Sequence, residues 1–221
     1  MLRLAASRSA SMAHPSSTKP TLSLTPVRPS DWLVVETLFG PNGAAGGCWC
    51  QWWRVEKGGK SWDACKGAPN RLALKVQIEA GAVHAILARR GQQPVGWCCV
   101  GPREDFPRLR KSRMARAHEA TGAWAVTCLF VTRSERGKGA GNRLVEAATA
   151  LAFKRGASEV QAYPTPLKEG ARSVDVFAWT GVPAMFPRNK GWRRIDDGEG
   201  RPVLVLKPPS PLSRAKAPSR G

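Results

Sequence analysis

The sequence predicts a mixed α/β domain, with a mostly antiparallel central sheet and helices on both faces. Three observations predict it. Residues 83–89 and 94–100 are apolar, β-rich runs joined by Arg90-Gly91-Gln92-Gln93, which reads as an antiparallel hairpin. Residues 124–131, Trp-Ala-Val-Thr-Cys-Leu-Phe-Val, are apolar on both faces, as in a central buried strand. A Gly-rich loop, a helix and a strand over 159–163 follow, completing a strand–loop–helix–strand unit. Trp192 to Asp196 and Val203 to Leu206 then read as a closing hairpin.

The remaining elements follow in order. Leu22, Leu24 and Val27 mark a short extended run, and Ser30-Asp31 offers an N-cap to a helix over Trp-Leu-Val-Val-Glu-Thr-Leu-Phe. Gly40 to Gly47 reads as a flexible loop. A second helix is expected after Asn70, with Leu72, Val76 and Ala80 recurring every four residues. In the helix over 140–155, Leu144, Ala147, Ala148 and Leu151 share a face, and Arg155-Gly156 supplies a positive last turn and a glycine stop. Phe177 to Phe186 has no clear period, being broken by Gly181 and Pro183.

The chain has 221 residues, a length for one domain, and a hydrophobic content of 42%, which excludes disorder throughout. Residues 1–20 and 208–221 are basic extensions, expected to be disordered, around a single domain at 21–207. The first of them is rich in Ser, Ala and Arg and has no acid, a composition similar to a mitochondrial transit peptide. No apolar run reaches the roughly 18 residues of a spanning helix. Six cysteines occur with no C-x-x-C and no zinc-ribbon spacing, so the thiols read as reduced, the compartment as cytoplasmic (mitochondrial for a eukaryotic source), and no metal site is assigned. Cys98 and Cys99 are strand neighbours and should face opposite ways. Cys48-x-Cys50 with Cys65 lacks a fourth ligand and reads as packing.

Arg136-Gly137-Lys138-Gly139-Ala140-Gly141 stands between a buried strand and a helix N-terminus, which is a place for an anion. Free backbone N–H groups and the helix dipole favour negative charge there. Glycines remove the Cβ atoms that would hold a phosphate away. Arg133, Arg136 and Lys138 add positive charge, so the arrangement suits a pyrophosphate. It is neither a Walker loop nor the G-x-G-x-x-G fingerprint.

The run Leu129 to Val131, then Arg136-x-x-Gly139-x-Gly141, then Leu144 resembles the acetyl-CoA signature of the GNAT superfamily of N-acetyltransferases. Gly156, the strand to Tyr163 and the late Gly191-Trp192 fit that superfamily as well. The resemblance spans about 22–206 and is sharp over 124–163. It implies that the central strand splays from its neighbour. The pantetheine arm of acetyl-CoA would pair with the backbone of Leu129 and Val131, and the pyrophosphate would rest on Arg136, Gly137, Lys138, Gly139, Ala140 and Gly141. The partners implied are acetyl-CoA and an amine on a small molecule or peptide, with a homodimer left open. Cys48-Trp49-Cys50-Gln51-Trp52-Trp53-Arg54 and Gly101 to Pro107 look like a bacterial subgroup of it.

Direct attack on a thioester needs a neutral amine, which for a lysine-like group of pKa about 10.4 costs ~4.6 kcal/mol at pH 7. A general base lowers that cost. Members of the superfamily often carry a Glu on the central strand, but 124–131 has none. Glu104 and Asp105, after the hairpin, are the candidate catalytic carboxylates. His84, His118, Glu119 and Asp175 rank behind them. The acid is often a tyrosine before the Gly-aromatic pair; Phe186 takes that place here, and Tyr163 reads as packing. Trp49, Trp52 and Trp53 are expected to bind the acceptor, as an apolar pocket or a cage for a cationic amine. The competing readings are a non-catalytic acyl-CoA binder and a nucleic-acid binder. The second draws on the net charge of +19 and on the run Arg108 to Arg113 with Arg116.

Overall fold

The computed structural model describes residues 20–56, 60–116, 118–166, 178–196 and 200–209. The expected extensions, beyond Pro20, Pro208 and Pro209, lie outside them, as do Asp175 and Phe177. Seven strands form one sheet: β1 (Leu22–Pro26), β2 (Ala85–Arg90), β3 (Gln93–Pro102), β4 (Ala123–Val131), β5 (Glu159–Ala162), β6 (Arg193–Arg194) and β7 (Leu204–Leu206), in spatial order β1-β2-β3-β4-β5-β7-β6. Only the β4–β5 contact is parallel; the other neighbours are antiparallel. Both predicted hairpins are present, and the crossover between β4 and β5 is the predicted helix.

That helix, α6 (Ala140–Lys154), buries Leu144, Val145, Ala148 and Ala152 on one sheet face. A Cβ on Gly96 would stand 2.8 Å from Leu144, so glycine in β3 lets α6 approach. The other face is covered by α1 (Trp32–Phe39), α3 (Ala68–Glu79), α4 (Pro107–Lys111) and the segment around Trp49 and Trp53, next to the short helices α2 (Lys60–Cys65) and α5 (Arg113–Arg116). Cys98 faces the α6 layer and Cys99 the opposite one, as strand alternation requires.

Three sequence expectations are corrected. In α3 the buried positions are Asn70, Leu74 and Ile78, while Leu72 and Val76 are exposed. Two apolar stripes compete on this helix, and the one holding the longer Ile78 and the fully buried Leu74 packs inward. Asp31 precedes α1 but makes no side-chain cap; its carboxylate accepts from Arg28 N at 2.8 Å and Arg89 at 2.9 Å. Burial beside two arginines outweighs the cap. The Gly40 to Gly47 loop is a packed series of turns rather than a slack segment. Gly43, Gly46 and Gly47 hold positive φ, and a Cβ on Gly43 would stand 2.4 Å from the Trp49 ring.

Candidate active site

β4 changes partner environment halfway along. Its register with β3 slips between Cys99 and Val100, so Thr127 is an extra residue and forms a bulge. Its pairing with β5 ends at Val126 opposite Ala162. Thr127 to Val131 therefore continues without β5 beside it, which is the splay that the sequence resemblance implied. The cause is local: one additional residue bends the strand and turns its edge away.

The gap is not open along its length. Leu129 N–H donates to the Trp179 carbonyl at 2.7 Å, and the Val131 carbonyl accepts from Arg136 Nε at 3.0 Å. Both expected pantetheine partners thus hold intramolecular bonds. Trp179 lay in the stretch without a clear period, so no sequence signal pointed to it.

Beyond Val131 the chain makes a 3-10 turn over Arg133–Glu135 and enters α6 through the glycines. Gly137 has φ +72° and Gly139 +78°, with open space where a Cβ would stand. Gly139 is the left-handed N-cap, so the first N–H groups of α6 have no carbonyl within the helix to reach. Arg136, Gly137, Lys138 and Gly139 are exposed; Ala140 and Gly141 are buried. Gly141 serves packing, since a Cβ there would stand 2.9 Å from Met185 Cε. The loop is tied down by Glu135, which receives Arg90 at 2.6 and 3.0 Å. Lys138 Nζ donates back to the Ser134 carbonyl at 2.5 Å. The surroundings fit a diphosphate: exposed amides, two exposed cations and no side chain in the glycine space.

On the face away from α6, Trp53 Nε1 donates to the Thr127 carbonyl at 3.1 Å. Trp52, Trp53 and Trp179 pack edge-on or tilted, with ring centroids 5.5–6.5 Å apart. Trp49 is not with them. It is 2% exposed and lies against Trp32 and Phe39, as part of the core on that face of the sheet. Trp52 and Trp179 are half-buried, and one face of the Trp52 ring is already covered by the Arg108 guanidinium, 3.4 Å from the centroid. The Trp52 face on which a cationic amine would stack is thus held by an arginine.

Three thiols, Cys50, Cys99 and Cys128, meet behind this cluster, with Arg54 donating to Cys99 Sγ at 3.9 Å. Neighbouring thiol hydrogen bonds and burial push Cys50 and Cys99 well above the usual thiol range. Cys65 sits in α2 and is not part of the group. Among the described residues no set of three or more metal-binding side chains is arranged to hold an ion.

Glu104 and Asp105 form the 3-10 turn after β3, both exposed and next to Trp124 at the start of β4. Neither pairs with Arg103, which turns inward to the His118 and Ala115 carbonyls at 2.7 and 2.8 Å. Asp105 acts on Arg54: burial opposes that guanidinium's charge, and Cys99, Cys50 and Asp105 outweigh it and hold its pKa above the ordinary value. Tyr163 is buried and bonded to Gln161, whose amide donates to Glu159 and to the His118 carbonyl, while Glu159 in turn holds Lys207 and the His118 ring. Burial pushes the Tyr163 phenol up, so it stays protonated well past neutral pH. Phe186 is buried edge-on against Trp192, with Gly181 at its ring edge. His84 stacks on Trp124, and burial lowers its pKa.

The basic run expected for nucleic acid is partly absorbed into the fold. Arg108 lies on Trp52, and Lys111 pairs with Glu56 at 3.3 Å. A groove of about 1450 Å³ lies between α6 and β6–β7, lined by Val145, Phe153, Met185, Trp192 and Leu206. Residues 183–190 beside it form two 3-10 turns, Pro183–Met185 and Arg188–Lys190, with Pro183 at the start of the first. Among the described residues no helix is long and apolar enough to cross a membrane.

The Acetyltransferase (GNAT) family model matches residues 49–177. No curated protein gives a significant match. Among solved structures, the PaiA N-acetyltransferase of Thermoplasma acidophilum, in complex with coenzyme A, is 13% identical, with a TM-score of 0.47 over 85% of this chain and 99% of that one. The ribosomal-protein-alanine N-acetyltransferase of Brucella melitensis is 14% identical, with a TM-score of 0.46 over 83% and 96%. An N-acetyltransferase of Staphylococcus aureus is 10% identical, with a TM-score of 0.48 over 85% and 98%.

Proposed function

This chain belongs to the acetyltransferase (GNAT) family, and from that premise we propose that it moves the acetyl group of acetyl-CoA to an amine by direct attack within a ternary complex. The observation that carries the reading is the exposed, left-handed Gly137 and Gly139 at the N-terminus of α6, directly after the β4 bulge. The amides of 136–141 hold the diphosphate, with Arg136 and Lys138 beside it. Acetyl-CoA supplies an activated thioester. For the pantetheine arm to pair with Leu129, the Trp179 carbonyl must release that amide.

The amine enters from the Trp52 side of β4, opposite α6. Asp105, with Glu104 next to it, takes the ammonium proton through water, since no carboxylate stands on β4 itself. The amine nitrogen bonds to the acetyl carbon as the carbon–sulfur bond breaks. The proton that the nitrogen loses on becoming an amide passes through water to the departing thiolate, since Phe186 has none to give.

Gly139→Trp tests the diphosphate placement. Calorimetry should show acetyl-CoA affinity lost by tenfold or more, with thermal unfolding still cooperative, because a Cβ there meets nothing within 4 Å and the left-handed backbone costs only about 1–2 kcal/mol. Unchanged affinity in the folded variant would refute the placement.

A further inference from the structure

The acceptor side of the bulge holds two arginines that each keep one buried donor unmet. Arg108 lies flat on Trp52, its Nη1 is buried without a hydrogen-bond partner, and no ion pair involves it among the described residues. Arg54 lies over Phe106, 4.9 Å from the ring centroid, and its Nε is likewise buried and unpartnered. Arg108 N–H donates to the Trp53 carbonyl at 3.3 Å, so residues 53–54 and 106–108 pack as one wall. Burying a guanidinium donor with no acceptor is costly, and the cost is relieved when an oxyanion supplies the missing lone pairs. Asp105 acts on Arg54 through space but forms no ion pair within 4.0 Å among the described residues.

The same wall argues against a polycationic acceptor. The Trp52 face is occupied by a cation, and two fixed positive charges repel a second ammonium. They favour a substrate whose negative group docks in the guanidinium forks, for which arginine's planar geometry is suited. Their field also lowers the pKa of an amine held nearby, which promotes the neutral, attacking form.

We propose that the acceptor is an amine carrying its own oxyanion, a carboxylate or a phosphate, clamped by Arg54 and Arg108 against Trp52. The inference rests on the acetyl-transfer reading above.

The test uses the full chain. Acetyl-CoA binding is first measured by calorimetry. Release of free CoA thiol is then followed with L-alanine, L-glutamate and L-methionine as amino-carboxylates, and phosphoethanolamine as an amino-phosphate. Spermidine and ethanolamine are the amines without an anion. Turnover should be confined to the anionic set, and the arm that responds identifies carboxylate or phosphate. Arg108→Gln should raise the acceptor KM tenfold or more with acetyl-CoA affinity within twofold. Arg108→Lys, which keeps the charge and loses the fork, should fall between. Acetyl-CoA binding with equal or better turnover of spermidine or ethanolamine would overturn the inference alone, as would binding with no turnover of any anionic probe. An unchanged acceptor KM in both folded variants would do the same. Failure to bind acetyl-CoA would overturn the acetyl-transfer reading together with it.

Discussion

Glu135 shows how a single side chain can position a loop it does not belong to chemically. It is buried beneath the glycines and takes two hydrogen bonds from Arg90 at the end of β2. The pair pins the turn after β4 to the opposite part of the sheet, so the amides that follow keep one direction. Removing one partner leaves the other charge poorly matched, a loss of about 3–5 kcal/mol for a fully buried pair and less here, where Arg90 is partly exposed. Glu135→Gln keeps the shape, removes the carboxylate charge and leaves Arg90 one amide oxygen as acceptor. We expect acetyl-CoA affinity to fall several-fold and unfolding to shift by about 1–2 kcal/mol, checked by calorimetry and urea melts. Sequence reading passed over Glu135 because a lone acid in a basic loop looks solvated. Only the distance between Arg90 and Glu135, set by strand order, reveals the anchor.

At the scale of elements, the turns at 40–47 decide how Trp49 is used. The sequence there is glycine-rich and reads as slack, yet the turns wrap the indole closely. Two substitutions separate backbone strain from crowding. Gly40 has φ +60° and open space, so Gly40→Ala should cost about 1–2 kcal/mol from the left-handed backbone alone. Gly43 has φ +56° and Trp49 atoms at 2.4 Å, so Gly43→Ala should cost about 3 kcal/mol or more. Equal urea midpoints for the two variants would contradict the packed-turn account. β4 makes the complementary point. Its apolar pattern gave away a central strand, but the bulge at Thr127 leaves no mark in a period-2 reading, because an extra residue only becomes visible against the partner strand.

For the whole molecule, the buried thiols give a pH signature. Burial or neighbouring thiols raise the pKa of Cys48, Cys50, Cys98, Cys99 and Cys128, and burial raises that of Tyr163. A group whose pKa is raised by folding stabilises fully below its unfolded pKa. Above about pH 8.5 for thiols, and about pH 10 for tyrosine, the unfolded chain sheds protons that the folded chain keeps. Stability should therefore fall steeply from pH 8.5 upward, measured as urea midpoint against pH. Cys98→Ala should lessen that slope, since Cys98 is raised chiefly by burial. A midpoint flat to pH 10 would be inconsistent with protonated buried thiols.

The sequence by itself determined the sheet, the crossover unit and the glycine loop that opens the crossover helix. These depend on local properties: apolar period, glycine freedom and the orphan amides of a helix start, which any chain with those residues must share. Tertiary structure alone decided which tryptophan is core and which is accessible, that Cys50 joins Cys99 and Cys128 rather than Cys65, and that Trp179 holds the Leu129 amide. It also decided that Arg108 covers Trp52 instead of facing solvent with the rest of its basic run. Each of these turns on contacts between segments far apart in the chain, and a side chain's type does not fix its partner until the backbone brings the segments together.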